Sequence, residues 1–388
     1  MYLAAGIQAT ATAWLALEAG GGGFGVGLVL AARMLPNLLF GLAAGTLADR
    51  ANRNRLLVVV ALAGVPVMLA LSWLAATGNV AVWQLVPLSF VTGCLFVFDV
   101  PARLALVMDS VPREVAPNAM ALNAMASRLC TALGALAAGV LIATVSVASC
   151  YLAVALAYAL AAGLMVQVRP PRSATSRIAS QRLPFGRALR EAARMVHDFA
   201  AVRTLILAGI ACEVFGFSFQ TATPVFARDV LAAGPEGLGT LNAATSIGGT
   251  LSVLTLSLLP SRVRREPVLG LVFLFYGVSL VVLAQSQTLA LAAAALVVTG
   301  ACAAAFDLLQ QTLIQLAVPE EQRGRAIGVW VLGIGSAPLG HLEMGTLIAT
   351  LSAPVALSIN GAVVLLGAAT LLARAPTYRW LLRPRPAE

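Results

Sequence analysis

The stretch Gly45-Thr46-Leu47-Ala48-Asp49-Arg50-Ala51-Asn52-Arg53-Asn54-Arg55 interrupts a chain that is otherwise almost uniformly apolar. Residues 24–48 before it hold one charged group, Arg33, and residues 56–76 after it hold none. At 1.5 Å per residue each flank reaches across a hydrocarbon core of about 30 Å. The stretch therefore reads as a polar, basic turn between two spanning helices. Gly45 has no side chain, so a neighbouring helix can approach its backbone closely. Asp49 follows one turn later on the same face, where a carboxylate attracts the positive N-terminal end of a partner helix. Arg50, Arg53 and Arg55 hold the turn on one side of the membrane. Asn52 tolerates left-handed backbone better than most residues, which suits it to a turn.

Outward from this turn the same pattern repeats. Of 388 residues, 60% are hydrophobic and 11% charged, against about 25% charged in soluble domains, and the mean hydropathy is +0.91. Apolar stretches fall at 2–18, 24–48, 56–76, 81–107, 118–145, 147–168, 201–227, 237–259, 267–285, 288–316, 326–350 and 353–373. Twelve spans of about 20 residues need about 240 residues, which leaves short loops and one longer connection. The expected fold is an all-α membrane protein of about twelve transmembrane helices. The first is short: Tyr2 to Leu17 reaches only about 24 Å as a helix, and no cationic region precedes it as in a signal peptide.

The net charge is +9, and all 25 basic residues are Arg. A basic balance can indicate nucleic acid, but these arginines lie between the spans, so no nucleic-acid partner is expected. They follow the even-numbered spans: Arg50, Arg53 and Arg55; Arg113; Arg169 to Arg194; Arg262, Arg264 and Arg265; Arg323 and Arg325; and Arg374, Arg379, Arg383 and Arg385 in the tail. The alternate connections carry Arg228 alone. Under the positive-inside rule the Arg-rich side, with the C-terminus, is cytoplasmic. Without Lys there is no phosphate loop for ATP hydrolysis. Cys94, Cys130, Cys150, Cys212 and Cys302 stand singly in apolar segments, without metal or redox spacing. No nucleophile, base and orienting group stand together, so no enzyme, cofactor or metal is expected.

The two halves resemble each other. Val91-Thr92-Gly93 recurs as Val298-Thr299-Gly300, Val111-Pro112 as Val318-Pro319, and Gly139 to Ser146 as Gly345 to Ser352. Their shared order indicates a duplicated six-span unit, with a substrate site at the midplane between the copies. The expected division is a six-helix bundle over 1–168, a cytoplasmic linker over 169–200, a second bundle over 201–374 and a tail over 375–388. Within the linker, Phe185 to Val196 reads as an amphipathic interfacial helix with Arg187, Arg190 and Arg194 on its basic face. The solvated His197 follows it.

Charges inside spans are costly, about 2.5–3.5 kcal/mol each on insertion scales, and so mark candidate sites. Asp99 and Arg103 are spaced for an i, i+4 pair, acid first. Glu213 and Gln220 lie in the seventh span, and Asp307 and Gln311 in the tenth. His341 and Glu343 lie in the eleventh, Arg33 in the second and Arg128 in the fifth. All but the two lone arginines are taken as candidates for coupling or substrate contact.

Gly45 to Arg55 resembles the signature between helices 2 and 3 of the major facilitator superfamily. Leu35 to Leu57, Val111 to Gly139, Pro224 to Gly239 and Val318 to Gly345 resemble the branch that holds enterobactin-type siderophore exporters and macrolide efflux proteins. The resemblance implies two pseudo-symmetric six-helix bundles that work by alternating access. It makes Gly45, Asp49, Arg50, Arg53 and Arg55 a gating latch against an eleventh helix that begins near Arg325. It implies proton- or other ion-coupled efflux of a small amphipathic organic compound by a monomer in the bilayer of the bacterial cytoplasmic membrane. Gly134 to Gly139 departs from the Gly-Pro pair common in antiporter members, and the Ser257 to Arg265 connection lacks the Gly and Asp of the latch. Uptake by the same fold and a non-transporting sensor or scaffold are the alternatives.

Overall fold

The structure, a computed structural model, describes residues 1–50, 52–112, 114–167, 193–258 and 265–378, without the side chains of 42–50, 117, 266, 321, 324, 325 and 374–378. Six helices form the first half: α1 (Tyr2–Ala16), α2 (Gly22–Arg50), α3 (Arg53–Thr77), α4 (Val82–Asp109), α5 (Ala116–Thr144) and α6 (Val147–Gln167). The second half holds α7 (Ala200–Ala211), α8 (Phe219–Val225), α9 (Gly234–Ser257), α10 (Arg265–Ala284), α11 (Leu289–Leu316), α12 (Arg323–Ile334), α13 (Ala337–Thr350) and α14 (Ala353–Tyr378). All of 168–192, including the start of the expected amphipathic helix, lies outside the described residues; 193–198 is helical, and His197 is exposed.

Nine helical runs among the described residues are long and apolar enough to cross a membrane, and local chemistry reconciles nine with twelve. The run Tyr2–Gly41 is a single run of 40 residues, but Gly20 (φ +77°) and Gly22 (φ +50°) adopt backbone that no helix continues, which splits it into two passes. The eighth pass, α9, is too rich in Gly, Ser, Thr and Asn to score as strongly apolar. The eleventh is divided at Gly335 and Ser336 into α12 and α13, of 12 and 14 residues, each too short alone. The seventh runs through π turns at Cys212–Gly216 and Phe226–Val230, on either side of α8.

The turn after α2 is built differently from expectation. Asn52 is extended (φ −66°, ψ 107°), and its side chain accepts from the Arg55 amide at 3.1 Å. It caps α3 and makes no left-handed turn. Large apolar side chains such as Trp73, Trp83, Leu156 and Leu160 stand exposed on outer faces. Leaving a Leu in water forgoes about 1.5–3 kcal/mol relative to burying it, a loss that lipid removes.

The duplication reappears in packing. A Cβ added at Gly93 of α4 would stand 2.1 Å from the Arg33 carbonyl of α2, and one at Gly300 of α11 would stand 2.0 Å from the Thr245 carbonyl of α9. The repeated Val-Thr-Gly thus marks the same close helix crossing in each half. Between the halves, α5 packs along α9 and α2 along α13. Added Cβ atoms would lie 2.8 Å from the Pro235 carbonyl at Gly139, and 2.9 Å from the Gly23 carbonyl at Gly345. The repeated Gly-x-Leu-Ile-Ala-Thr thus sets the two inter-half seams.

Candidate transport site

The first half closes one charge pair upon itself. Arg103 and Asp99 form a short ion pair across one turn of α4, around Pro101. The Arg103 guanidinium also lies 4.5 Å from the centroid of the Tyr2 ring, a cation–π contact, and the Tyr2 hydroxyl donates to Asn123 at 2.9 Å. Nearby, Tyr158 of α6 donates to Gln8 and Tyr151 donates to Thr12, each at 3.2 Å.

Glu213 and Asp307 are arranged differently. Glu213 sits in the first π turn of the seventh pass, and Asp307 lies in α11. Neither forms an ion pair or hydrogen bond among the described residues, and the two lie within electrostatic reach of each other. Both are partly buried, and their carboxylates keep some accessible surface. Arg128 of α5 reaches Asp307 from the other half. Its Nη1 lies 2.2 Å from where a Cβ at Gly249 would stand, and its charge acts on Asp307. Only a glycine at 249 leaves the guanidinium this room.

His341 and Glu343 are tied to neighbours. His341 Nδ1 lies 2.9 Å from the Thr221 hydroxyl. Asn360 donates to Glu343 at 3.1 Å and to Ser218 at 3.0 Å, joining the seventh, eleventh and twelfth passes. Gln310, not Gln311, carries the interhelix contact of the tenth pass. It donates to the Leu205 carbonyl at 2.7 Å and accepts from Trp330 at 3.2 Å. Gln311 is half-buried and Gln220 exposed. In the basic turn, Arg53 forms a short ion pair with Asp109 and so joins α3 to α4. The Gly45, Asp49 and Arg50 side-chain surroundings lie outside the described residues.

The sequence reading passed over Arg33 and Arg128 as site residues. The signal was present, because neither has an acid three or four residues away on its own helix. Among the described residues no group of three or more His, Cys, Asp or Glu stands together as metal ligands would.

Solved structures of transporters share this fold. The nucleoside transporter NupG superposes at a TM-score of 0.73 with 12% identity, over 96% of this chain and 99% of that one. A peptide transporter POT mutant gives 0.75 and 15%, over 98% and 94%. A bacterial homologue of the human lysosomal transporter Spinster, inward-facing and occupied, gives 0.71 and 14%, over 100% and 98%. No curated protein matches the sequence. The family of transmembrane secretion effectors matches residues 3–379. With nearly the whole chain matched and the fold shared with major facilitator transporters, the protein belongs to this family.

Proposed function

We propose that the chain exports a small amphipathic organic molecule from the cytoplasm by alternating access, coupled to protons through Glu213 and Asp307. The observation that carries the reading is this pair of interior carboxylates, without a hydrogen bond or ion pair among the described residues, with Arg128 of the opposite half acting on Asp307. A carboxylate held in a low-dielectric interior must meet a counter-charge or take up a proton. Ionised Asp307 draws Arg128 and holds the halves together near the site. Proton uptake removes that attraction and frees the halves to rock. The bundles of 1–168 and 201–374 are the rocking bodies, with the Arg-rich end and the C-terminus in the cytoplasm. Asp49 with its arginines latches that end, and the family description as secretion effectors supports the outward direction.

The test is flux in everted membrane vesicles against a panel of amphipathic compounds, with and without a protonophore. Export predicts accumulation that collapses with the proton gradient, and loss of that accumulation in E213Q and D307N. Accumulation confined to right-side-out vesicles reverses the direction. Gradient-driven flux unchanged in both variants removes these residues from coupling.

A further inference from the structure

We infer that Arg33 is the anion-binding group of the cargo site, so that the exported compound carries a carboxylate or comparable organic anion. The inference rests on the export reading and names the cargo class for the same interior. Arg33 is the twelfth residue of α2, about 17 Å along the helix from its start at 1.5 Å per residue. Its side chain is partly buried in the protein. A guanidinium offers five donors and never sheds its charge. Yet Arg33 makes no hydrogen bond and no ion pair among the described residues, and its nitrogens keep accessible surface.

Three other arginines contrast with it: Arg53 holds Asp109, Arg103 holds Asp99, and Arg228 holds Asp229. The titratable groups acting on Arg33 are the phenols of Tyr158 and Tyr151, with no carboxylate among them. Both phenols already donate elsewhere, to Gln8 and Thr12, and so leave acceptor surface only. Across the seam, His341 feels the Arg33 charge while its Nδ1 is engaged by Thr221. The site thus spans both halves, where a cargo must be held.

Packing gives no reason for an arginine at this position. Through the repeat, Arg33 corresponds to Thr245: their carbonyls receive the equivalent glycines Gly93 and Gly300 at 2.1 and 2.0 Å. The second half makes the same crossing with a hydroxyl that bonds its own helix at Leu241. The guanidinium is therefore additional to the fold. An uncompensated interior cation is costly, and a visiting anion compensates it.

The test uses the full chain in lipid nanodiscs, titrated with 1-naphthoate, 1-naphthalenemethanol and 1-naphthylmethylammonium and followed by intrinsic tryptophan fluorescence. The expected result is about tenfold or greater preference for naphthoate over the alcohol, lost in R33Q with alcohol binding unchanged. R33K should retain part of the preference, because an ammonium supplies charge without a bidentate fork. It also carries the test should R33Q not yield folded protein. No anion preference in the wild type, or the same preference in R33Q, overturns the inference. Binding in nanodiscs needs no gradient, so an Arg33-dependent preference in a protein that moves nothing across vesicles upholds this inference and rejects export. Vesicle efflux of cationic compounds that R33Q leaves unchanged rejects this inference and upholds export.

Discussion

At the Arg-poor end the halves meet backbone to backbone, whereas toward the Arg-rich end they meet through side chains. An added Cβ would stand 2.3 Å from the His341 carbonyl at Gly27, 2.8 Å from the Pro235 carbonyl at Gly139, and 2.9 Å from the Gly23 carbonyl at Gly345. Arg228 donates across this end to the Leu17 carbonyl at 3.2 Å, and Asn242 donates to Thr10 at 3.1 Å. Farther along, the atom met at Gly41 is a Val331 methyl at 3.5 Å, at Gly335 a Leu38 methyl at 2.5 Å, and at Gly249 the Arg128 guanidinium. A seam of main chain releases only when whole helices separate. A seam of side chains can slide and re-form through rotamers. The comparison also explains Arg228, which broke the charge parity of the loops: it ties the Arg-poor end shut.

The largest effect should come from G139V or G345V. Each places a branched side chain against main chain that has no rotamer to give, at a cost of about 1–3 kcal/mol or more. Transport should fall to near background, and cysteines placed in the interior should label from the Arg-poor side. Wild-type flux in both would show that this seam is not the gate. Next, R228A and N242A each remove one inter-half hydrogen bond worth about 1 kcal/mol. Spin-label distances across the Arg-poor end should show about a fivefold larger open population, without loss of folded protein. At the other end, R53A removes a quarter-exposed pair with Asp109 within one half. Its thermal stability should fall by about 0.5 kcal/mol or less, given solvent screening, and the inter-half distances should stay put. The smallest effect belongs to G41A, whose Cβ meets Val331 at ordinary contact distance. It should be indistinguishable from wild type in melting and flux, and a clear loss there would place a backbone seam at both ends.

Much of this was legible in the residues. Charge parity and apolar length located the passes, and the repeated Val-Thr-Gly and Gly-x-Leu-Ile-Ala-Thr lie at the two kinds of close crossing. What hydropathy could not supply was irregular backbone. Nothing in its averages distinguishes the π turn at Cys212–Gly216 from a regular helix, or the division at Gly335 from a continuous one. The candidate site was less legible because charge within a span does not say whether a partner waits on another helix. Asp99 has one four residues away. Glu343 finds Asn360 in the next pass, and Arg128 meets Asp307 from the opposite half. Asn52 misled because its side chain can serve a cap as well as a left-handed turn.

The surplus residues of the seventh pass have a further consequence. Each π turn holds about one residue more than the α turn it replaces, with Phe217 bonding back to Cys212 at 2.8 Å and Leu231 to Phe226 at 3.0 Å. Deleting one residue within 212–216 lets that turn relax to α geometry with the helix beyond it kept in register, whereas the same deletion in a regular α turn would rotate everything beyond it by about 100°. Phe219–Val225 would keep the same side chains, Thr221 among them, toward His341. The surplus residue of each turn can thus be gained or lost in the course of evolution while the faces beyond it stay in place.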